Sequence, residues 1–236
     1  MSGSGLENII IDILALIFSV VFHEVAHGWM ALRHGDETAL RLGRLTLNPL
    51  PHIDPVGSII VPLMLSFTSS IMFGWAKPVP VDPRRLRDPW NDHPKVAAAG
   101  PAANLLLALI CAVLLGLVIG LAALTGATAQ VLSAGPSPLK FLVSLFQTGI
   151  MINVVLAMFN LIPVPPLDGS WILTRFLPRD LHFRYEKLRR FGFAMVIGFL
   201  LLMRYTPLGN AFSGILMAVV HPFFGLAMAI ARIFGA

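Results

Sequence analysis

Long apolar runs separated by short basic stretches organise this chain. Five segments have the character of membrane helices: about Asn8–Leu32, Val96–Leu124, Leu139–Leu161, Phe191–Met203 and Leu208–Phe234. A spanning helix needs roughly 20 predominantly apolar residues, so the fourth is short and requires flanking residues or a locally thinned bilayer. A sixth stretch, Val56–Phe73, differs in kind. Pro62, Ser66, Thr68, Ser69 and Ser70 interrupt it, and turn-rich sequence flanks it on both sides. There is no internal repeat and no low-complexity linker. The pattern predicts an all-α polytopic membrane protein.

Composition agrees. Of 236 residues, 56% are hydrophobic and 12% charged, against about 25% charged in a soluble domain, and mean hydropathy is +0.80. A pI near 10.0 raises nucleic acid as a partner, but the basic residues lie in the loops, as the positive-inside rule requires of a membrane protein. Nucleic acid is therefore not expected. The single cysteine, Cys111, excludes an internal disulfide and a Cys-based zinc knuckle and reads as a small apolar filler. The N-terminal sequence lacks a basic n-region and a small-residue cleavage site, so it is expected to be retained.

The chemistry sits inside the first segment. His23-Glu24-Val25-Ala26-His27 follows a run, Ile9 to Phe22, whose polar relief is Asp12 and Ser19. Ionisable groups in a span are costly and mark function. Positions i and i+4 share a helix face, so two imidazoles there can grip one ion. Catalytic zinc takes three protein ligands and leaves a position for water, and Glu24 neighbours the first ligand as a base for that water. For the third ligand, the carboxylates in or bordering the apolar segments are Asp12, Asp54 and Asp168. Asp12 lies about three turns away on the same helix. Asp54 sits in a Pro-rich turn and suits a turn or cap role. Asp168 ends Asn160-Leu161-Ile162-Pro163-Val164-Pro165-Pro166-Leu167-Asp168-Gly169, where three prolines break the helix and Gly169 permits a tight bend. Asp168 is the best-placed third ligand; its alternative is a cap on the short helix that follows.

One metal shared by His23, His27 and Asp168 requires the first and third long helices to run parallel. A full crossing by Val56–Phe73 would make them antiparallel, whereas a re-entrant or small β element, buried against protein, makes them parallel. Charge favours the second arrangement. It puts fifteen of the seventeen lysines and arginines on one side, leaving Lys140 and Arg204 opposite. The expected topology has the N-terminus outside and the site towards the cytoplasm of the cell (inner) membrane.

Three blocks, HEVAHG at 23–28, AGPAANLLLA at 99–108 and FNLIPVPPLDG at 159–169, together resemble the site-2 protease family of intramembrane zinc metalloproteases. The intervening NPLPHIDPVGSIIVPLML and FGWAKPVPVDP resemble its compact prokaryotic branch, and the likeness covers about Ile9 to Leu173. It implies one zinc per chain on His23, His27 and Asp168, with Glu24 as base. It also implies a three-helix core with a small membrane-associated sheet between its first two helices. A single unit over 1–236 is expected, with a catalytic core about 8–173 and variable helices about 190–234.

Other polar residues have two readings each. Asn160 offers two donors and an acceptor for a substrate backbone or scissile carbonyl, or makes a helix–helix bond. Asn153 fits the helix–helix role. Gly100 and Asn104 open the second core helix, where small residues allow close packing and Asn104 is a candidate to face the site. His52 is a loop histidine or lines the cleft mouth. Trp29, Trp75, Trp90 and Trp171 read as interface anchors, and Arg184 to Arg190 as a solvated stretch near anionic lipid.

The expected reaction is hydrolysis of a peptide bond in or near a transmembrane helix, with a single-span membrane protein within the lipid bilayer as the expected substrate. The substrate would be held extended on a sheet edge between about Arg41 and Val61. Competing readings are a protease of exposed loops and a zinc transporter; the latter needs further metal-binding residues across the membrane. Nothing in the sequence sets the oligomeric state.

Overall fold

The computed structural model describes residues 3–54, 77–127 and 137–235. Their elements are α1 (Gly3–Arg33), α2 (Thr38–Arg41), α3 (Pro89–Leu124), α4 (Pro138–Asn160), α5 (Asp168–Thr174), α6 (Arg179–Leu188), α7 (Gly192–Tyr205) and α8 (Leu208–Ile233), with no strand among the described residues. Local sequence sets the starts of the two central helices. Asp88 accepts from Asn91 N at 3.2 Å ahead of Pro89, and Ser137 accepts from Lys140 N at 3.1 Å ahead of Pro138. Each pairs an N-cap side chain with a proline whose missing N–H the first turn does not need.

Four helices are long and apolar enough to cross a membrane: Glu7–Arg33, Pro89–Leu124, Pro138–Asn160 and Leu208–Ile233. The expected segment at 191–203 is α7, a helix of 14 residues. At 1.5 Å per residue it covers about 21 Å, short of the roughly 30 Å hydrocarbon core. Outward-facing Leu106 and Leu121 are 58% and 54% exposed, a surface suited to lipid. The protein is an all-α polytopic membrane protein.

Helix α3 is the hub. It packs against α1, α4 and α8 and receives α5 at its N-terminal end. Ala108, Ala112 and Leu115 of α3 meet Val143, Ile150 and Val154 of α4 and Val220 and Ala227 of α8 in one apolar core. Cys111 packs at its edge, partly buried. Buried polar pairs give the relative directions. His27 bonds Val96 O and, further along, Asn104 bonds both Ser19 O and Asn153. Numbers fall from 27 to 19 on α1 while they rise from 96 to 104 on α3, so these two helices are antiparallel. The C-terminal ends of α1 and α4 lie at one end, so that pair is parallel.

The expected element at Val56–Phe73 lies outside the described residues. Within the expected substrate edge, residues 41–54 form the end of α2, turns and the 3-10 turn Leu50–His52, not a strand.

Candidate metal centre

The site forms where α1, α3 and the start of α5 meet. His23 and His27, one turn apart on α1, present their imidazoles edge to face with centroids 4.6 Å apart. Their Nε2 atoms are 3.0 Å apart, and Asp168 Oδ2 lies 3.2 and 3.3 Å from them. These are the one group of three or more potential metal-ligating side chains among the described residues.

Proton positions follow from the far side of each ring. Val96 O can only accept, so His27 Nδ1, at 2.7 Å, carries a hydrogen. Asn104 Nδ2 donates to the Ser19 carbonyl at 3.1 Å, which fixes its amide, and Asn104 Oδ1 then accepts from His23 Nδ1 at 2.6 Å. In the neutral rings both Nε2 atoms therefore bear lone pairs aimed at one another and at a carboxylate oxygen. In that neutral state no donor hydrogen lies among the three atoms, and Asp168 Oδ2 is buried without a hydrogen-bond partner. Such a cluster repels itself unless a cation occupies its centre. Ligands about 2.0–2.2 Å from a tetrahedral centre lie roughly 3.3 Å apart, so the donor set and its spacing suit zinc.

Two glycines make the approach possible. A Cβ on Gly100 would collide with His27 Nε2 and lie 2.6 Å from two His23 ring atoms, so the small residue lets α3 close over the imidazoles. A Cβ on Gly169 would collide with Leu161 O, because the proline-rich turn folds α5 back onto the end of α4. Asp168 is the first residue of α5. The N-cap position belongs to Leu167, which makes no side-chain cap, so the Asp168 carboxylate serves the histidines and not the helix end.

Glu24 turns to a different neighbour: its Oε2 accepts the Val79 N–H at 2.6 Å. Asn104 is fully buried, with both ends of its amide bonded within the protein, including Nδ2 to Asn153 Oδ1 at 2.8 Å. Asn153 donates in turn to Gly149 O of its own helix at 2.8 Å. Asn160 donates to Leu156 O of its own helix at 3.0 Å, and no described bond ties it to the ligands. His52 is buried, with Nε2 3.0 Å from Thr46 O, and likewise makes no described bond to them. Trp171 is half-buried: the His93 ring lies tilted against it with centroids 4.0 Å apart, and the Arg189 guanidinium lies 3.1 Å from its ring centre. Arg189, within the stretch expected to be solvated, also donates to Ser170 Oγ at 3.0 Å and so pins α5 behind Asp168. Val96 O, Val79 N–H and the Arg189 bridge escape sequence reasoning; only Gly100 left a signal, its place one turn before Asn104.

Comparison with known proteins identifies the family. The profile of Peptidase family M50 matches residues 11–203. A Bacillus subtilis protein named "Putative zinc metalloprotease YwhC" is 38% identical over 198 residues, covering 84% of this chain and 81% of that protein. Similarly described proteins are Rip2 of Mycolicibacterium smegmatis, 30% identical over 80% of this chain and 65% of its own, and MJ0611 of Methanocaldococcus jannaschii, 26% identical over 70% and 69%. No solved structure matches. The chain belongs to peptidase family M50, the site-2 protease family, and is a membrane-embedded zinc metalloprotease.

Proposed function

We propose that this protease cuts peptide bonds in or near transmembrane segments of membrane proteins, single-span proteins foremost, using one zinc ion held by His23, His27 and Asp168. One observation carries the reading: two imidazole nitrogens and a carboxylate oxygen converge within 3.3 Å of one another inside a membrane helix bundle. Zinc bound there supplies a polarised scissile carbonyl and an attacking water of lowered pKa. His23 and His27 keep their Nε2 lone pairs inward because Asn104 and Val96 O hold the opposite protons. Glu24, beside His23, takes the proton from the attacking water and delivers it to the leaving amine.

Water must reach such a site, which favours a place near one membrane face. The basic loops assign that face to the cytoplasm and the N-terminus to the outside of the cell membrane. The whole of 1–236 acts as one unit, with the catalytic core at about 8–173 and variable helices at about 190–234.

Glu24→Gln tests the reading, since it keeps the side-chain shape and removes the base. Cleavage is expected to fall by about 10²- to 10⁴-fold while zinc, measured by atomic emission, stays at one per chain. Comparative proteomics of membrane fractions from wild-type and variant cells should then show a single-span protein stabilised in the variant. Unimpaired cleavage by Glu24→Gln would remove Glu24 from the mechanism.

A further inference from the structure

Outside the metal centre, three fully or nearly buried polar side chains or their backbones converge on one extended segment, Lys77-Pro78-Val79-Pro80-Val81-Asp82. Asp36, with no exposed surface, accepts from Asp82 N at 2.7 Å. Arg44, 9% exposed, donates from Nη2 to Lys77 O at 2.9 Å and to Pro78 O at 3.3 Å. The carbonyl of buried His52 accepts from Lys77 N at 2.9 Å. Val79 itself is buried, its side chain against Gly28 of α1. Burying a guanidinium and a carboxylate is costly; here both are spent on fixing a short strap.

The strap delivers one group to the site, the Val79 N–H, 2.6 Å from Glu24 Oε2. Prolines on either side lack N–H groups and have fixed φ, so this amide faces no competing donor from residues 78 and 80. We propose that the Val79 amide is the positioning group for Glu24. It holds one carboxylate oxygen, leaves the other free for the water proton, and is itself held by Arg44, Asp36 and the His52 carbonyl. A glutamate side chain loses rotamer entropy on being fixed. The strap meets that cost during folding, before substrate arrives. This rests on Glu24 acting as the base.

Val79→Pro deletes the N–H, and Val79→Ala keeps it while trimming the side chain. With the full-length enzyme in detergent, loaded with zinc, and fluorescein-labelled casein as probe, Val79→Pro is expected to lower kcat by about 10- to 100-fold with KM and zinc content unchanged. Val79→Ala should retain at least tenfold more kcat than Val79→Pro. Equal losses in the two variants would assign Val79 to packing and overturn the proposal. A second measurement needs no activity: hydrogen exchange of the 77–82 stretch, where prolines leave few amides. In Glu24→Ala one amide of this stretch should exchange at least tenfold faster than in wild type, and unchanged exchange overturns the proposal. The two layers separate cleanly. A fully active Glu24→Gln would overturn the base assignment, whereas an inactive Glu24→Gln beside a fully active Val79→Pro would overturn the positioning role alone.

Discussion

The two halves of α3 hold their neighbours by different physics. Towards its N-terminal end, Asp92, Gly100 and Asn104 are buried, and Asn104 links α1, α4 and His23 through hydrogen bonds. Towards its C-terminal end, Ala108, Ala112 and Leu115 are buried against α4 and α8 without a polar contact between them. In lipid, helices gain nothing from hiding apolar surface from water, so association relies on close packing and hydrogen bonds. The apolar half uses the first. The polar half uses the second, and its bonds do double work, because the network that joins the helices also orients His23, a proposed metal ligand. The polar half should therefore govern zinc and activity, and the apolar half stability alone.

The strongest challenge to that division is Asp168→Ala. Removing the anion leaves two imidazoles for a site that needs three protein ligands. Zinc content should fall from one per chain to near zero and casein cleavage to background, with helicity by circular dichroism unchanged. Retained stoichiometric zinc would show that Asp168 is not a ligand.

Gly100→Ala comes next, because it adds one methyl on the polar half. Its Cβ would meet ring atoms of both histidines, and displacement of ligands by even about 1 Å costs on the order of 10²-fold in rate. The same change at an unhindered helix position favours the helix by up to about 1 kcal/mol. Activity should collapse while thermal stability of the metal-free protein holds or rises slightly. Full activity would mean that α3 can shift without disturbing the imidazoles.

Asn104→Ala should have a smaller effect on zinc. Partners that orient a ligating histidine are worth about 10- to 100-fold in metal affinity, and His23 would lose its Nδ1 acceptor. Competition with a chelator of known affinity reads the change. If affinity is unaltered and only the melting temperature drops, Asn104 is a helix–helix clamp and the double role fails.

Much of this was legible before any fold. His23 and His27 announce a shared face through their spacing, and Asp168 stands out because carboxylates near the apolar segments are few and prolines bend its loop. The parallel pairing of α1 and α4 follows from asking one ion to touch both. Less was readable where backbone groups act. Val96 O and the Val79 N–H lie 69 and 55 residues from the side chains they hold. A peptide group has no residue-specific signature, so only tertiary structure reveals such partners. Asn160 shows the reverse case: its residue type suits a substrate contact, and the structure shows its Nδ2 donating to Leu156 O one turn back. Sequence gives a side chain's capacity but not its rotamer.

The smallest expected effect on zinc is none at all, and it belongs to Ala227→Leu. Ala227 has no exposed surface, and its carbonyl lies 2.5 Å from where a Cβ on Gly116 would be, so α8 and α3 touch there backbone to backbone. Extra methylenes in a filled core typically cost about 1–3 kcal/mol, and for a chain of this size each kcal/mol is worth roughly 2–4 °C in melting temperature. Leucine should push α8 outward and lower the melting temperature by several degrees. Zinc affinity and kcat should stay at wild-type values, since Asn104 and Gly100 keep their own neighbours on α1 and α4. A parallel loss of zinc affinity would show that the apolar half sets the height of α3 against the imidazoles. In that case the hydrogen bonds of Asn104 follow helix packing rather than acting beside it.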